Sequence, residues 1–313
     1  MSRQTVSNVI HGTGRVGPAT AQRVQEHIAR LGYTLHLGAS SLRSQRIRQV
    51  AHPTHPDELD TENILGMEFL QRLARTAGDY DHHLLVVSDP SPEGMRELIT
   101  SGRADGFIFS DMAANDERAR LATRMNVPFA AFGRTSADSR QAWVDVDNGA
   151  GTRMATEHLL VKGHRSVAFL GFESTAYWDA ERQQGYEHTM GSAGLPTRIV
   201  LVPNTPERIG TAARRLLADT PAPSAVVCAA DTLAASIYTA AAESGRTIGQ
   251  DVFVTGFDGS VLSRSLTPRL TTVRIPLEAI THRVMERYLR ELEQLSDDPG
   301  EFVPLQLALG ESA

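Results

Sequence analysis

Residues 166–202 read SVAFLGFESTAYWDAERQQGYEHTMGSAGLPTRIVLV, and this stretch predicts one βα unit followed by a second strand. Ser166–Gly171 and Ile199–Val202 are apolar runs of strand length. Glu181–Ala193, which lies between them, has the pattern of an amphipathic helix. A strand, a helix and a strand in this order predict two parallel strands joined by a crossover helix.

The same alternation continues along most of the chain. Further strands are predicted at Ile47–Ala51, His83–Ser88, Gly106–Phe109, Phe129–Gly133, Ala225–Ala229 and Val252–Gly256. Further helices are predicted at Asn63–Ala77, Ala150–Lys162, Ile209–Ala218 and Leu233–Ser244. Repeated βα units predict an α/β fold built from doubly wound parallel sheets.

Composition excludes several classes of protein. The chain has 313 residues, of which 41% are hydrophobic and 22% are charged, so it is neither disordered nor fibrous. It has no apolar run of about 18 residues that would span a membrane. We see no signal peptide at the N-terminus and therefore expect a cytoplasmic protein. The single cysteine, Cys228, excludes an internal disulfide and a cysteine-based zinc site.

Charge divides the chain into a basic arm and an acidic body. Residues 1–48 contain seven Arg and one acid, Glu26, which gives a net charge of +6. Because the whole chain carries −6, the rest carries −12. A basic arm on an acidic body indicates that the arm binds a polyanion, although a solvated charged tail would have the same charge.

The arm itself is predicted to form two short helices. Ser2 can cap the first, from Arg3 to about Ile10, because its hydroxyl can accept a free backbone N–H. Pro18 suits the first turn of the second helix, which is expected to end near Leu31.

Four blocks of the arm resemble, in order and spacing, the DNA-binding headpiece of the lactose-repressor (LacI/GalR) family. The blocks are Ser2–Ile10, Gly14–Val16, Leu31–Tyr33 and Ser41–Arg43. The resemblance implies that the first helix is the recognition helix of a helix-turn-helix and lies in the major groove of DNA.

The resemblance also implies roles for single residues. Arg3, Gln4 and Asn8 would read base edges, since Arg suits guanine while Gln and Asn suit adenine. Thr5 and Ser7 would contact phosphate or cap the helix. Leu42 would insert between base pairs from the minor groove and kink the DNA.

The headpiece departs from the family pattern in one respect. The family's headpiece begins about 15 residues earlier, with a first helix and a turn, so we expect an incomplete helix-turn-helix here. The expected domains are the headpiece at 1–34, a hinge helix at 35–46, and an effector-binding and dimerisation domain at 47–313. The last is expected to divide into one lobe of about 47–147 plus 276–297 and another of about 148–275 plus 298–313.

The body resembles the effector-binding domain of the same family, which is itself similar to periplasmic sugar-binding proteins. The blocks that carry this resemblance are Phe132–Arg134, Val144–Asn148, Thr156–Leu159, Lys162–Arg165, Arg182–Tyr186, Gly256–Asp258 and Leu270–Val273. The resemblance implies two lobes with a sugar site in the cleft between them.

Guanidinium groups of arginines and carboxylates are predicted to lie close together in that cleft. Ligands of open α/β sheets bind beyond the carboxyl ends of strands, where Arg134, Asp231 and Asp258 are expected. Arg182 lies in the helix that follows such a strand. The resemblance implies that these four residues line the site. Further candidates are Trp178 and Phe257, which could stack on a sugar ring, and Asp111, which follows another strand.

Other chemistry is not supported by the sequence. His52 and His55 lie in a Pro-containing loop and His82–His83 are adjacent in a strand, so neither pair converges on a metal. No Gly-x-Ser-x-Gly motif is present, and no acid and base are paired at a plausible spacing. We therefore expect no metal, no cofactor and no enzymatic activity.

These patterns predict a sugar-responsive transcriptional regulator, most simply a repressor. It would bind a palindromic double-stranded DNA operator as a homodimer, respond to a small carbohydrate effector and have no membrane partner. Two alternatives remain open at this stage: a sugar-binding protein of a transport system, and a truncated chain that binds sugar but not DNA.

Overall fold

The first helix begins immediately after Ser2, the residue that was predicted to cap it. A computed structural model describes residues 2–10, 14, 16–31, 46–54, 63–295 and 300–313. In it, helix α1 covers Arg3–Ile10, and Ser2 Oγ accepts a hydrogen bond from Thr5 N at 3.1 Å. Helix α2 covers Pro18–Leu31, with the proline in its first turn and Val24 buried. Both predicted helices and the Ser2 cap are thus confirmed.

The chain forms two compact units, Met1–Ile47 and Arg48–Ala313. The second unit contains strands and helices in alternation. Its strands are β1 Gln49–Pro53, β2 His83–Val87, β3 Gly106–Phe109, β4 Phe129–Phe132, β5 Trp143–Asp145, β6 Val167–Phe172, β7 Ile199–Val202, β8 Ala225–Cys228, β9 Phe253–Asp258, β10 Thr271–Arg274, β11 Gly300–Phe302 and β12 Gln306–Ala308. Its helices are α3 Ile64–Asp79, α4 Pro92–Thr100, α5 Glu117–Arg124, α6 Asn148–Val161, α7 Tyr177–Ser192, α8 Pro206–Ala218, α9 Asp231–Glu243, α10 Val261–Ser265 and α11 Leu277–Leu292.

The strands form two six-stranded sheets, one in each lobe. The first lobe has the order β11-β5-β4-β3-β1-β2, with all strands parallel. The second lobe has the order β12-β10-β9-β8-β6-β7, in which only β12 is antiparallel to its neighbour. The predicted α/β fold with two doubly wound sheets is therefore confirmed, and the eight predicted strands are present with ends shifted by at most two residues.

Polar caps and apolar faces explain why the helices start and pack where they do. Asn63 Oδ1 accepts from Gly66 N at 2.9 Å at the start of α3, and Asp147 Oδ1 accepts from Ala150 N at 2.6 Å at the start of α6. Fully buried Phe69 and Tyr288 pack into the core of the first lobe, and Phe169 and Tyr186 pack into that of the second. No described helix is long and apolar enough to cross a bilayer.

Within the described part of this unit, the chain passes between the lobes three times. It passes after β5 into α6, after β10 into α11, and after β11 into β12. We expected residues 298–313 to lie in the second lobe, but Gly300–Phe302 pairs with Trp143–Asp145 of the first sheet. This pairing covers an edge of β5, and Gly300 lies so close to the Trp143 ring that a side chain would collide with it.

Candidate functional site

A cleft with a volume of about 310 Å³ lies between the two lobes. It is lined by residues that end strands or begin helices of both lobes, as expected for an α/β protein. Its polar lining residues are His52, Thr54, Asn63, Ser110, Asp111, Asp145, Asn148, Glu173, Ser174, Asp179, Arg182, Asn204, Thr232 and Asp258. Among the sequence-predicted residues, Asp111, Trp178, Arg182 and Asp258 line this cleft.

Arg182 is a buried guanidinium held in a fixed orientation. Its Nε donates to Asn148 Oδ1 at 2.9 Å, and its Nη1 donates to the Ala229 carbonyl at 2.6 Å and to Asp258 Oδ1 at 3.4 Å. Only 3% of the residue is exposed. Each of these acceptors would lose a donor if the guanidinium were removed, so Arg182 organises the wall of the cleft.

Two aromatic rings lie close to the guanidinium of Arg182. The Arg182 Cζ atom lies 3.6 Å from the Phe257 ring centroid and 4.4 Å from that of Trp178. Phe257 is 1% exposed and does not line the cleft, so it supports Arg182 instead of offering its own ring to a ligand.

Close packing of two helices brings Arg182 to this position. Gly185 of α7 lies against the backbone of Gly149 in α6, and a Cβ at Gly185 would collide with the Gly149 carbonyl. The absence of side chains at this crossing lets the two backbones approach. Arg182, one turn earlier in α7, then reaches Asn148 at the start of α6.

Asp258 ends β9 with an unusual backbone conformation. Its φ is 113°, which a residue with a side chain rarely adopts, and it is 8% exposed. Burial raises the pKa of its carboxyl, while the neighbouring Arg182 opposes that change. Backbone strain at a buried carboxylate in a cleft is a common property of binding sites.

Asp111 and Trp178 join the lobes at the cleft. The Trp178 Nε1–H donates to Asp111 Oδ1 at 2.8 Å, although the two residues belong to different lobes. Backbone bonds reinforce this contact, since Tyr177 N donates to the Met112 carbonyl at 3.2 Å and Ala114 N donates to that of Thr175 at 3.0 Å. Asp111 itself has a φ of 50°, so strain occurs in this lobe too.

Asp231 is buried behind the cleft and does not line it. Its Oδ2 accepts from the backbone N and the hydroxyl of Ser260, both at 2.8 Å, and its Oδ1 accepts from Thr272 Oγ1 at 2.6 Å. These bonds connect the start of α9 to the loop after β9 and to β10. The carboxylate therefore fixes the backbone next to Asp258.

Arg134 also lies outside the cleft lining. Its Nε donates to Asp145 Oδ2 at 3.0 Å within the first lobe, and its Nη2 donates to Glu181 Oε1 at 2.6 Å in α7 of the second. Its Cζ lies 4.6 Å from the Phe302 ring centroid. Arg134 thus joins the two lobes by a buried ion-pair network.

Three residues that were not predicted as site residues also line the cleft, namely His52, Asn148 and Asp179. His52 Nδ1 lies 2.8 Å from the Ile108 carbonyl, which can only accept, so this nitrogen carries the hydrogen. Burial lowers the pKa of His52 to about 4, so the ring is neutral. Asp179 precedes Arg182 by three residues on α7, and this helical spacing is a signal that could have identified it.

Asp179 is a buried carboxylate of the cleft with one unsatisfied oxygen, although a hydrogen bond with Ser174 also stabilises its ionised form. It is 7% exposed, and its Oδ2 has no hydrogen-bond partner among the described residues. Burial raises the pKa of Asp179 to about 6, with Arg182 opposing the change. The ionised form is thus destabilised in the folded state.

Asp179→Asn is expected to stabilise the protein, and to do so more at high pH. Because the pKa of this acid is raised on folding, its ionisation destabilises the fold increasingly as pH rises from about 4 to above 6. The gain in unfolding free energy should be about 2–3 kcal/mol at pH 8 and well below 1 kcal/mol at pH 4. Urea denaturation at both pH values measures it. The exposed Glu157→Gln is the matched control, and an equal gain at both pH values would contradict the assignment.

Metal binding receives no support from the described residues, in which no three His, Cys, Asp or Glu side chains are grouped as ligands. His55 lies outside the described residues.

The sequence-predicted DNA-contacting residues lie in the first unit or outside the described residues. Thr5 and Asn8 lie on α1, and Thr5 Oγ1 is 2.8 Å from Ser2 Oγ. Arg3, Gln4 and Ser7 belong to the same helix, but their side chains are outside the described part. Leu42 also lies outside the described residues.

Comparisons with known proteins agree with this architecture. Residues 156–313 match the family described as periplasmic binding protein-like domain. The HTH-type transcriptional regulator YvdE of Bacillus subtilis is 29% identical over 294 residues, which cover 94% of this chain and 90% of the relative.

Solved structures have the same fold. One is the crystal structure of a regulatory protein of the LacI family from Chloroflexus aggregans, which has 31% sequence identity to this chain and a TM-score of 0.77. The match covers 84% of this chain and 98% of that protein's chain. Another is the structure of a transcriptional regulator CelR–cellobiose complex, which has 24% sequence identity to this chain and a TM-score of 0.78. The match covers 100% of this chain and 96% of that protein's chain.

Proposed function

This chain belongs to the LacI family of transcriptional regulators, and from that premise we propose that it binds operator DNA with an affinity set by a carbohydrate in the cleft. It would act as a repressor and as a homodimer on a palindromic operator. α1 would provide the base-reading residues Arg3, Gln4 and Asn8, and Leu42 would provide the minor-groove wedge.

One observation carries the carbohydrate part of the proposal. The guanidinium of Arg182 and the carboxylates of Asp179 and Asp258 line one cavity together with the indole of Trp178. Sugar hydroxyls are both donors and acceptors, so they need both kinds of partner, and the apolar face of a sugar ring packs on an aromatic ring. The fold shared with a regulator solved with cellobiose adds support.

Sugar binding would change the affinity for DNA by changing the position of one lobe relative to the other. Contacts between the lobes occur at Trp178–Asp111, at Arg134–Glu181, and where Val261 N donates to Glu68 Oε1 at 2.9 Å. A ligand that favours one arrangement of the lobes would shift the equilibrium between arrangements. A coupling free energy of about 1–3 kcal/mol would change operator affinity roughly 5–150-fold.

The test uses the purified chain and a random double-stranded DNA library. Repeated selection should enrich a palindromic sequence. Titration of that sequence at fixed salt, with and without a sugar that binds by calorimetry, should change the Kd at least about fivefold. Enrichment of no sequence would refute DNA binding by this chain and would favour the alternative of a truncated chain that binds sugar but not DNA. An operator Kd that no bound sugar changes would refute the regulatory part.

Asn8→Ala is expected to weaken operator binding by about 1–3 kcal/mol and to relax the preference for one base in each half-site. The physical reason is that an Asn amide makes two hydrogen bonds to adenine, which an Ala methyl cannot replace. Titration against operators changed at single positions measures this effect. Gln250→Ala, an exposed amide in the other unit, is the control. Equal weakening on all sequences would assign Asn8 to phosphate contact.

A further inference from the structure

The charges that line the cleft are mostly negative. Five carboxylates face one guanidinium among the described lining residues. The carboxylates are Asp111, Asp145, Glu173, Asp179 and Asp258, and the guanidinium is that of Arg182. His52 adds no positive charge, because burial lowers its pKa to about 4.

Ion pairs neutralise only part of this negative charge. Asp145 pairs with Arg134 from behind the cleft at 3.0 Å, and Asp258 pairs with Arg182 at 3.4 Å. Asp111 accepts from an uncharged group, the indole N–H of Trp178. Its charge therefore remains, and together with the charge of Asp179 it gives the cleft an excess of negative charge.

Asp179 additionally offers an acceptor that the protein leaves unused. The residue is more than nine-tenths buried in the cleft wall, and its Oδ2 has no hydrogen-bond partner among the described residues. A buried acceptor without a donor is unfavourable, so a ligand donor that reaches it recovers that loss on binding.

We propose that Asp179 is a specificity-determining residue: it accepts a hydrogen bond from a hydroxyl or ammonium group, and the cleft thereby selects uncharged or cationic sugars over sugar phosphates and uronates. This inference depends on one part of the proposed function, namely that the ligand of the cleft is a carbohydrate.

The negative charge of the cleft explains why anionic sugars would bind less tightly than neutral or cationic ones. A sugar phosphate carries up to two negative charges into a cavity where carboxylates already outnumber the guanidinium. Like charges brought together out of water repel strongly, and specificity commonly depends on such repulsion as much as on attraction. A neutral sugar avoids the repulsion and still supplies a donor, whereas an amino sugar adds attraction.

The first experiment is calorimetric titration of the wild-type chain with glucose, glucosamine, glucose 6-phosphate, glucuronate and cellobiose. Neutral or amino sugars should bind at least about tenfold more tightly than the anionic sugars. Tighter or equal binding of an anionic sugar would overturn the charge selection while leaving the carbohydrate function intact. If a wider thermal-shift screen of mono- and disaccharides also gave no binding, the proposed function would fail and this inference with it.

The second experiment compares Asp179→Asn with Glu157→Gln. Both changes replace a carboxylate by an amide of the same shape, but Glu157 is exposed on α6 outside the cleft. Asp179→Asn should weaken binding of the best neutral sugar about tenfold. It should also reduce the ratio between the affinity for that sugar and the affinities for the anionic sugars. Glu157→Gln should change neither. Denaturation of the same samples separates loss of binding from loss of fold, and an unchanged preference in folded Asp179→Asn would overturn the role of Asp179.

Discussion

Arg182→Ala should lower the free energy of unfolding by about 3–5 kcal/mol and abolish sugar binding. The substitution leaves the buried Asp258 carboxylate without its cation, and it removes the donors that satisfy Asn148 Oδ1 and the Ala229 carbonyl. Unpaired buried charge is among the most destabilising changes in proteins. Urea denaturation and calorimetry measure the two effects.

Arg153→Ala is the matched control for this substitution. Arg153 pairs with Asp147 at 3.8 Å, and both side chains are partly exposed, so its loss should cost about 0–1 kcal/mol. If Arg182→Ala unfolded no more easily than this control, the network described around Arg182 would be wrong. If it still bound sugar at wild-type affinity, Arg182 would not belong to the binding site.

Arg134→Ala is expected to have an equally large effect on stability but a small one on the site. Asp145 is 2% exposed and depends on Arg134 for its ion pair, so we expect a loss of about 3–5 kcal/mol of unfolding free energy. Because Arg134 does not line the cleft, the Kd for sugar should change less than tenfold, or about 1.4 kcal/mol.

Arg134→Lys distinguishes charge from geometry. One ammonium cannot reproduce the fork that contacts Asp145 and Glu181 at once, so this variant should recover only part of the lost stability. Operator affinity is informative as well, since the contact with Glu181 joins the lobes. A large loss of sugar affinity in folded Arg134→Ala would show that Arg134 belongs to the binding site, as predicted from the sequence.

Eight strands and five helices of the second unit were predictable because their apolar periodicity is local, whereas α4, α5, α10 and α11 were not predicted. Of the four strands that were missed, β5, β11 and β12 have three residues each, which is fewer than any strand that was predicted, and β10 has four. β11 was assigned to the wrong lobe because its partner β5 lies more than 150 residues earlier in the chain, and no local pattern encodes that pairing.

The candidate site was predictable in position more than in detail. Strand ends correctly pointed to Asp258 and Asp111 as residues of the cleft lining. The same rule cannot say which way a side chain turns, and Asp231 turns away to Ser260 and Thr272. Phe257 and Asp258 were both predicted to line the cleft. They are neighbours in β9, and because neighbouring strand residues face opposite sides, only Asp258 does so.

The three passages of the chain between the lobes have a consequence for dissecting the protein by genetics. Neither lobe corresponds to one uninterrupted gene segment, because β11 and α11 of the first lobe follow all but one strand of the second. A fragment spanning residues 148–275 would lack β12 and leave β10 as an exposed edge. Separate expression of a lobe therefore requires splicing distant segments, and one proteolytic cut between the lobes leaves them connected at the other two passages.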